Sequence, residues 1–175
     1  MGDCDVNAPT AGTPADIDQL LAGIAGAQHL TSLELENILG QDVDVPYPTP
    51  KHLYGTLLHP HLRRLTALQD LNISSMDIQP ADAVHFTCLT ALTALKLYNC
   101  WSVGEVAIAA MAARLTRLRV LDLIDCGLES PVLWPAVGMC TSLESLCIDS
   151  APHQIMVSHL HPSECCNAVV LWPHM

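Results

Sequence analysis

Five stretches of the chain carry the same order of apolar and polar positions: LTSLELENI (30–38), LQDLNISSM (68–76), LTALKLYNC (92–100), LRVLDLIDC (118–126) and LESLCIDSA (143–151). Each has an aliphatic residue at its first, fourth and sixth places and a small or apolar residue at its ninth. The starts at 30, 68, 92, 118 and 143 lie 38, 24, 26 and 25 residues apart, so three of the four intervals agree within two residues. The lead-in repeats as well. Leu65-Thr66, Leu89-Thr90, Leu115-Thr116 and Cys140-Thr141 each stand three residues before the first aliphatic place, which puts Cys140 in a leucine slot.

Alternation with period two, as in Leu95-Lys96-Leu97 and Leu121-Asp122-Leu123, predicts a short strand with both leucines on one face and the middle residue on the other. Such a strand cannot stand alone. Each inward Leu or Ile gains about 1.5–3 kcal/mol only when neighbours bury it, so the strands must stack and stability is collective. Leu35, Ile73, Leu97, Leu123 and Ile148 are thereby predicted to form one buried aliphatic column.

Between strands the chain must return along the other side. Ser102-Val-Gly-Glu105 predicts a capping box opening a helix, with Ile108, Met111, Ala112 and Leu115 on one stripe. Pro80 predicts a brief helical turn to Phe86, and Pro131 another that Pro135 breaks. Thr13-Pro14-Ala15-Asp16 predicts an N-cap followed by a helix to Gly26, faced by Ile17, Leu20, Leu21 and Ile24. The resulting division is a disordered N-terminus at 1–12 and a capping helix at 13–26. A repeat region follows at 27–151, with an insertion at about 40–61, and then a tail at 152–175. The insertion, rich in proline at 46, 48 and 50, accounts for the long first interval. After Ala151 no further unit is visible. Either the tail covers the last strand through Val169, Val170, Leu171 and Trp172, or the array continues.

The five segments resemble the leucine-rich-repeat family, whose signature is L-x-x-L-x-L-x-x-N/C-x-L. The fourth unit matches throughout, with Leu118, Leu121, Leu123, Cys126 and Leu128, and the third through Cys100. The first, second and fifth place Ile38, Met76 and Ala151 where Asn or Cys belongs. The resemblance implies an α/β solenoid of about five repeats, a curved parallel sheet with helices or irregular turns on its convex side. Cysteine at the ninth place, in units near 26 residues, is similar to the cysteine-containing repeats of F-box proteins.

Composition narrows the functional classes. Half the chain is hydrophobic and 14% charged, too apolar for a disordered segment. A net charge of -11 argues against nucleic acid, whose phosphates need clustered Lys and Arg. No apolar run reaches the roughly 20 residues of a membrane span, and the acidic N-terminus lacks a signal-peptide core. With no export signal, the eight cysteines read as reduced, buried thiols of a cytoplasmic protein, behaving as small hydrophobes. No nucleophile elbow, phosphate loop or dinucleotide fingerprint occurs, so neither an enzyme nor a cofactor is expected. His153, His159, His161, Cys165, Cys166 and His174 crowd the tail, but adjacent cysteines and i,i+2 histidines suit a zinc site poorly.

The informative surface is the outward, concave face. Its central row is Glu34, Asn72, Lys96, Asp122 and Cys147. One pleat further come Glu36, Ser74, Tyr98, Ile124 and Asp149, and then Asn37, Ser75, Asn99, Asp125 and Ser150. Five acids and one lysine line these rows, while Arg63, Arg64, Arg114, Arg117 and Arg119 fall at repeat entries. Tyr98 and Ile124 beside polar groups suit a protein-binding hot spot. The expected role is a scaffold or adaptor that binds another protein carrying a basic patch, of undetermined oligomeric state. Alternatives are the substrate-recognition part of an F-box-like ubiquitin-ligase receptor, for which no adaptor-binding helical module precedes the repeats, a cytoskeletal or axonemal attachment subunit, or a truncated copy of a longer gene.

Overall fold

Wherever the sequence alternates Leu-x-Leu, the backbone is a strand. The computed structural model describes residues 3–7, 14–36, 60–76, 78–128, 135, 137, 138, 140–150, 153–158 and 171–172, with side chains for 18–36, 60–76, 78–128, 135, 137, 138 and 140–148. In chain order the elements are β1 (Asp3–Asn7), α1 (Pro14–Ala25), β2 (Ser32–Glu36), β3 (Asp70–Ser74) and α2 (Pro80–Ala83), which runs on into a 3-10 turn at Val84–Cys88. Then follow β4 (Ala94–Tyr98), α3 (Glu105–Arg114), β5 (Val120–Ile124), β6 (Ser145–Ser150), β7 (His153–Ser158) and β8 (Leu171–Trp172). All eight strands lie in one open sheet in sequence order.

Six of them, β1 to β6, are parallel, and across β2 to β6 the register makes Leu35, Ile73, Leu97, Leu123 and Ile148 successive partners. None of these five side chains is more than 3% exposed. Leu33, Leu71, Leu95, Leu121 and Leu146 form a second buried row one pleat earlier. The single column expected from alternation is therefore present, with a twin.

The same backbone bonds recur from strand to strand. The carbonyl of Thr31 accepts the amides of Gln69 and Asp70. That of Gln69 accepts Thr93 and Ala94, that of Thr93 accepts Arg119 and Val120, and that of Arg119 accepts Glu144 and Ser145. Each L-T lead-in closes a tight turn: the amides of Leu68, Leu92, Leu118 and Leu143 donate to the carbonyls of Leu65, Leu89, Leu115 and Cys140. Backbone groups that a buried turn would otherwise orphan are thus satisfied by equivalent partners each time.

The helices cover one face of the sheet. Ala107, Ile108, Met111 and Ala112 of α3, with Leu115 beyond it, join the strand leucines in a single core, together with Leu21 of α1 and the fully buried Phe86. Pro80 opens α2 at its first turn after an extended Gln79, as proline's fixed φ favours.

Three expectations need correction. The Ser102–Glu105 capping box does not form. α3 starts at Glu105 with Gly104 as its N-cap, at φ 68 and with no side-chain cap. That left-handed turn suits glycine, and a Cβ there would meet Pro80 Cγ at 3.3 Å. Residues 3–7, within the stretch expected to be disordered, form β1 in parallel register with β2, setting Cys4 and Val6 opposite Leu33 and Leu35. It follows that α1 is a crossover between β1 and β2 rather than a terminal cap.

At the other end, β6 is covered by β7, antiparallel, and β7 by β8. Most of the insertion at about 40–61 and of the return after Ser130 lies outside the described residues. At the described end of the insertion, Pro60 and His61 are helical, and His61 Nε2 lies 2.8 Å from Asp18 Oδ1, joining it to α1.

Candidate functional site

The face of the sheet opposite the helices is built by the odd partners of the alternation. Strand register aligns Glu34, Asn72, Lys96, Asp122 and Cys147 in one row, and Glu36, Ser74, Tyr98, Ile124 and Asp149 in the next. All ten residues singled out from the sequence thus fall on this face at matched positions. Glu36 is exposed, and Glu34, Asn72, Ser74, Lys96, Tyr98, Asp122, Ile124 and Cys147 are half-buried. Asp149 is placed by its backbone alone.

A third row, one pleat earlier, escaped the sequence reading: Ser32, Asp70, Ala94, Val120 and Ser145. The same alternation would have found it by stepping back two residues from each central position. It gives the middle of the face an apolar character, because Ala94 and Tyr98 flank Lys96 on β4 while Val120 and Ile124 flank Asp122 on β5.

Past the strands the chain turns through Ser75, Asn99 and Asp125, at φ 55, 57 and 53. Small polar residues tolerate this left-handed conformation better than most. The Ser75 amide donates to the Tyr98 carbonyl and the Asn99 amide to that of Ile124. Asn37 of the same sequence row lies outside the described residues.

Just below these turns, the Cys100 thiol approaches the Ile73 carbonyl at 3.7 Å and the Tyr98 carbonyl at 3.4 Å, while that of Cys126 reaches Leu97 at 3.3 Å and Ile124 at 3.5 Å. The ninth-place cysteines thus tie each turn back to the preceding strand, where Met76 in the second unit offers no comparable donor. Cys140 does the same on the helical side, donating to the Ala112 carbonyl at 3.3 Å.

The charges on the face largely engage one another. Asn72 Nδ2 donates to Glu34 Oε1 at 2.7 Å, Lys96 Nζ lies 3.7 Å from Asp70 Oδ2, and the Tyr98 hydroxyl donates to Asp122 Oδ2 at 3.3 Å. Burial pushes the Tyr98 phenol above its ordinary range, and the Asp122 charge and hydrogen bond push it further the same way. Lys96 faces Asp122 in register yet turns to Asp70 instead. Arg119, at a strand entry, is bound by Glu144 at 2.7 Å. Asn72 Oδ1 is buried and meets no donor among the described residues.

Among the described residues, no three His, Cys, Asp or Glu side chains converge as a metal site, and no helix is long and apolar enough to cross a membrane. The histidine- and cysteine-rich tail lies outside the described side chains. Comparison with known proteins finds no family model, no curated protein and no solved structure that matches this chain.

Proposed function

We propose that the chain is a leucine-rich-repeat solenoid of cytoplasmic type that serves as a protein-interaction module, a scaffold or adaptor without chemistry of its own. The partner is another polypeptide, received on the outward, concave face of the sheet. One observation carries this reading: register sets Tyr98 beside Ile124, with Val120 and Ala94 nearby, on the face that no helix covers among the described residues. Aromatic and aliphatic side chains interleaved with carboxylates have the composition of a binding hot spot that also steers a basic partner. The five-fold register, the recurring carbonyl ladder and the thiol bonds of Cys100 and Cys126 support the repeat architecture.

The test is an affinity capture from the native cell with wild-type protein, a Tyr98→Ala/Ile124→Ser variant and an Arg114→Glu variant on the helical side. A specific partner should be retained by the first and third and lost from the second. Equal retention by all three contradicts the placement.

A further inference from the structure

The acids at the centre of the face are already engaged, Glu34 by Asn72, Asp70 by Lys96 and Asp122 by Tyr98. A basic partner gains least where a carboxylate must first give up an internal bond. The unengaged charge lies at the rim, where the strands turn. Asp125 is exposed in its left-handed turn, and among the described residues its carboxylate makes no hydrogen bond or ion pair.

The most exposed aromatic side chain described is Trp101, at 69%. The turns that carry Trp101 and Asp125 pack on each other through their backbones. Gly127, two residues after Asp125, is at φ 62 and packs so closely on the preceding unit that a Cβ there would lie 3.2 Å from the Trp101 carbonyl oxygen and 4.0 Å from its Cα. Trp101 also follows Tyr98 by three residues, past the left-handed turn at Asn99. An indole face and an unpaired carboxylate on adjacent turns suit a planar cation, which stacks on the ring and pairs with the acid.

We infer that the C-terminal rim of the sheet, Trp101 with Asp125, is an arginine-binding subsite for a polypeptide segment that runs from this rim onto Tyr98 and Ile124. The inference rests on the reading of the face as a protein-binding surface. Arginine fits better than lysine, because its guanidinium offers both a flat face and forked donors. The contact adds a second anchor to the one at Tyr98.

The probe is a displayed library of random dodecapeptides selected on the immobilised full chain, with selected peptides then resynthesised with arginine or with its uncharged isostere citrulline. Arginine should be enriched, and citrulline should weaken binding about tenfold. Trp101→Ala and Asp125→Asn should each weaken it about threefold, in single variants that melt like wild type because both side chains are exposed. Binders that lose affinity to Tyr98→Ala but are indifferent to both rim variants overturn the subsite and leave the face reading standing. Binders sensitive to the rim and indifferent to Tyr98→Ala and Ile124→Ser keep the subsite and overturn its continuation across the face. A selection that yields no arginine preference overturns the inference.

Discussion

The thiol of Cys126 donates to the carbonyl of Leu97, which stands 29 residues earlier and one strand away, at 3.3 Å. The bond closes the turn after β5 onto the buried row that Leu97 belongs to. Its residue type is what the repeat places there, and its geometry has consequences for stability and for pH.

Burial pushes the Cys126 thiol up to about 12, with the neighbouring Cys100 adding to the shift. The unfolded thiol titrates near 8.5, about its ordinary value. Because the folded value is raised, the stabilisation is complete below the unfolded value and falls as pH rises toward the folded one, by about 1.4 kcal/mol per unit in that window. Urea unfolding at pH 8 and pH 10 should therefore show a loss that is smaller in Cys126→Ala than in wild type. That variant should also be less stable at pH 8 by about 1–2 kcal/mol.

Leu97 lies at 0% exposure in the middle of the stacked column, with Ile73 on one side and Leu123 on the other. Leu97→Ala removes packing from three units at once and should cost about 2–5 kcal/mol. Denaturation followed by both circular dichroism and tryptophan fluorescence checks this. A shift below about 0.5 kcal/mol, the size of an ordinary surface substitution, contradicts the burial.

Tyr98 should titrate above its ordinary value, chiefly from burial and further from the Asp122 charge beside it. Ultraviolet titration of wild type against Tyr98→Phe isolates its transition among the three tyrosines. Asp122→Asn should bring the transition down, since it removes the charge but leaves the desolvation. An unchanged midpoint in Asp122→Asn means that the hydroxyl does not meet this carboxylate.

The antiparallel pairing of β7 on β6 covers an edge that would otherwise present unpaired backbone groups. A chain ending at Ser150 should self-associate, and light scattering across a concentration series should report it. A monomer of unchanged stability contradicts the capping role.

How much of this was legible depended on leucine. β2 to β6 could be read because each alternates Leu or Ile around one outward residue and follows a fixed turn, which also fixed the facing partners of Lys96 and Tyr98. The stripe of α3 was readable from its period, but its start was not. Gly104, not Ser102, takes the N-cap, in a left-handed turn where a Cβ would press on Pro80. β1 hid because Cys4 and Val6 occupy leucine slots among acids, and β7 because its antiparallel course obeys no repeat spacing. On the face, the positions were legible but the pairings were not. Lys96 takes Asp70 diagonally rather than Asp122 opposite, a choice set by side-chain reach rather than by order along the chain.

Both the proposed surface and its rim subsite require the strands to stack in the stated register. Methyl-to-methyl nuclear Overhauser effects in a Leu- and Ile-labelled sample test that most directly. The account predicts an unbroken chain of cross-peaks from Leu35 to Ile73, Leu97, Leu123 and Ile148, with none joining Leu35 directly to Ile148. Cross-peaks that pair Leu97 with neither Ile73 nor Leu123 would contradict it.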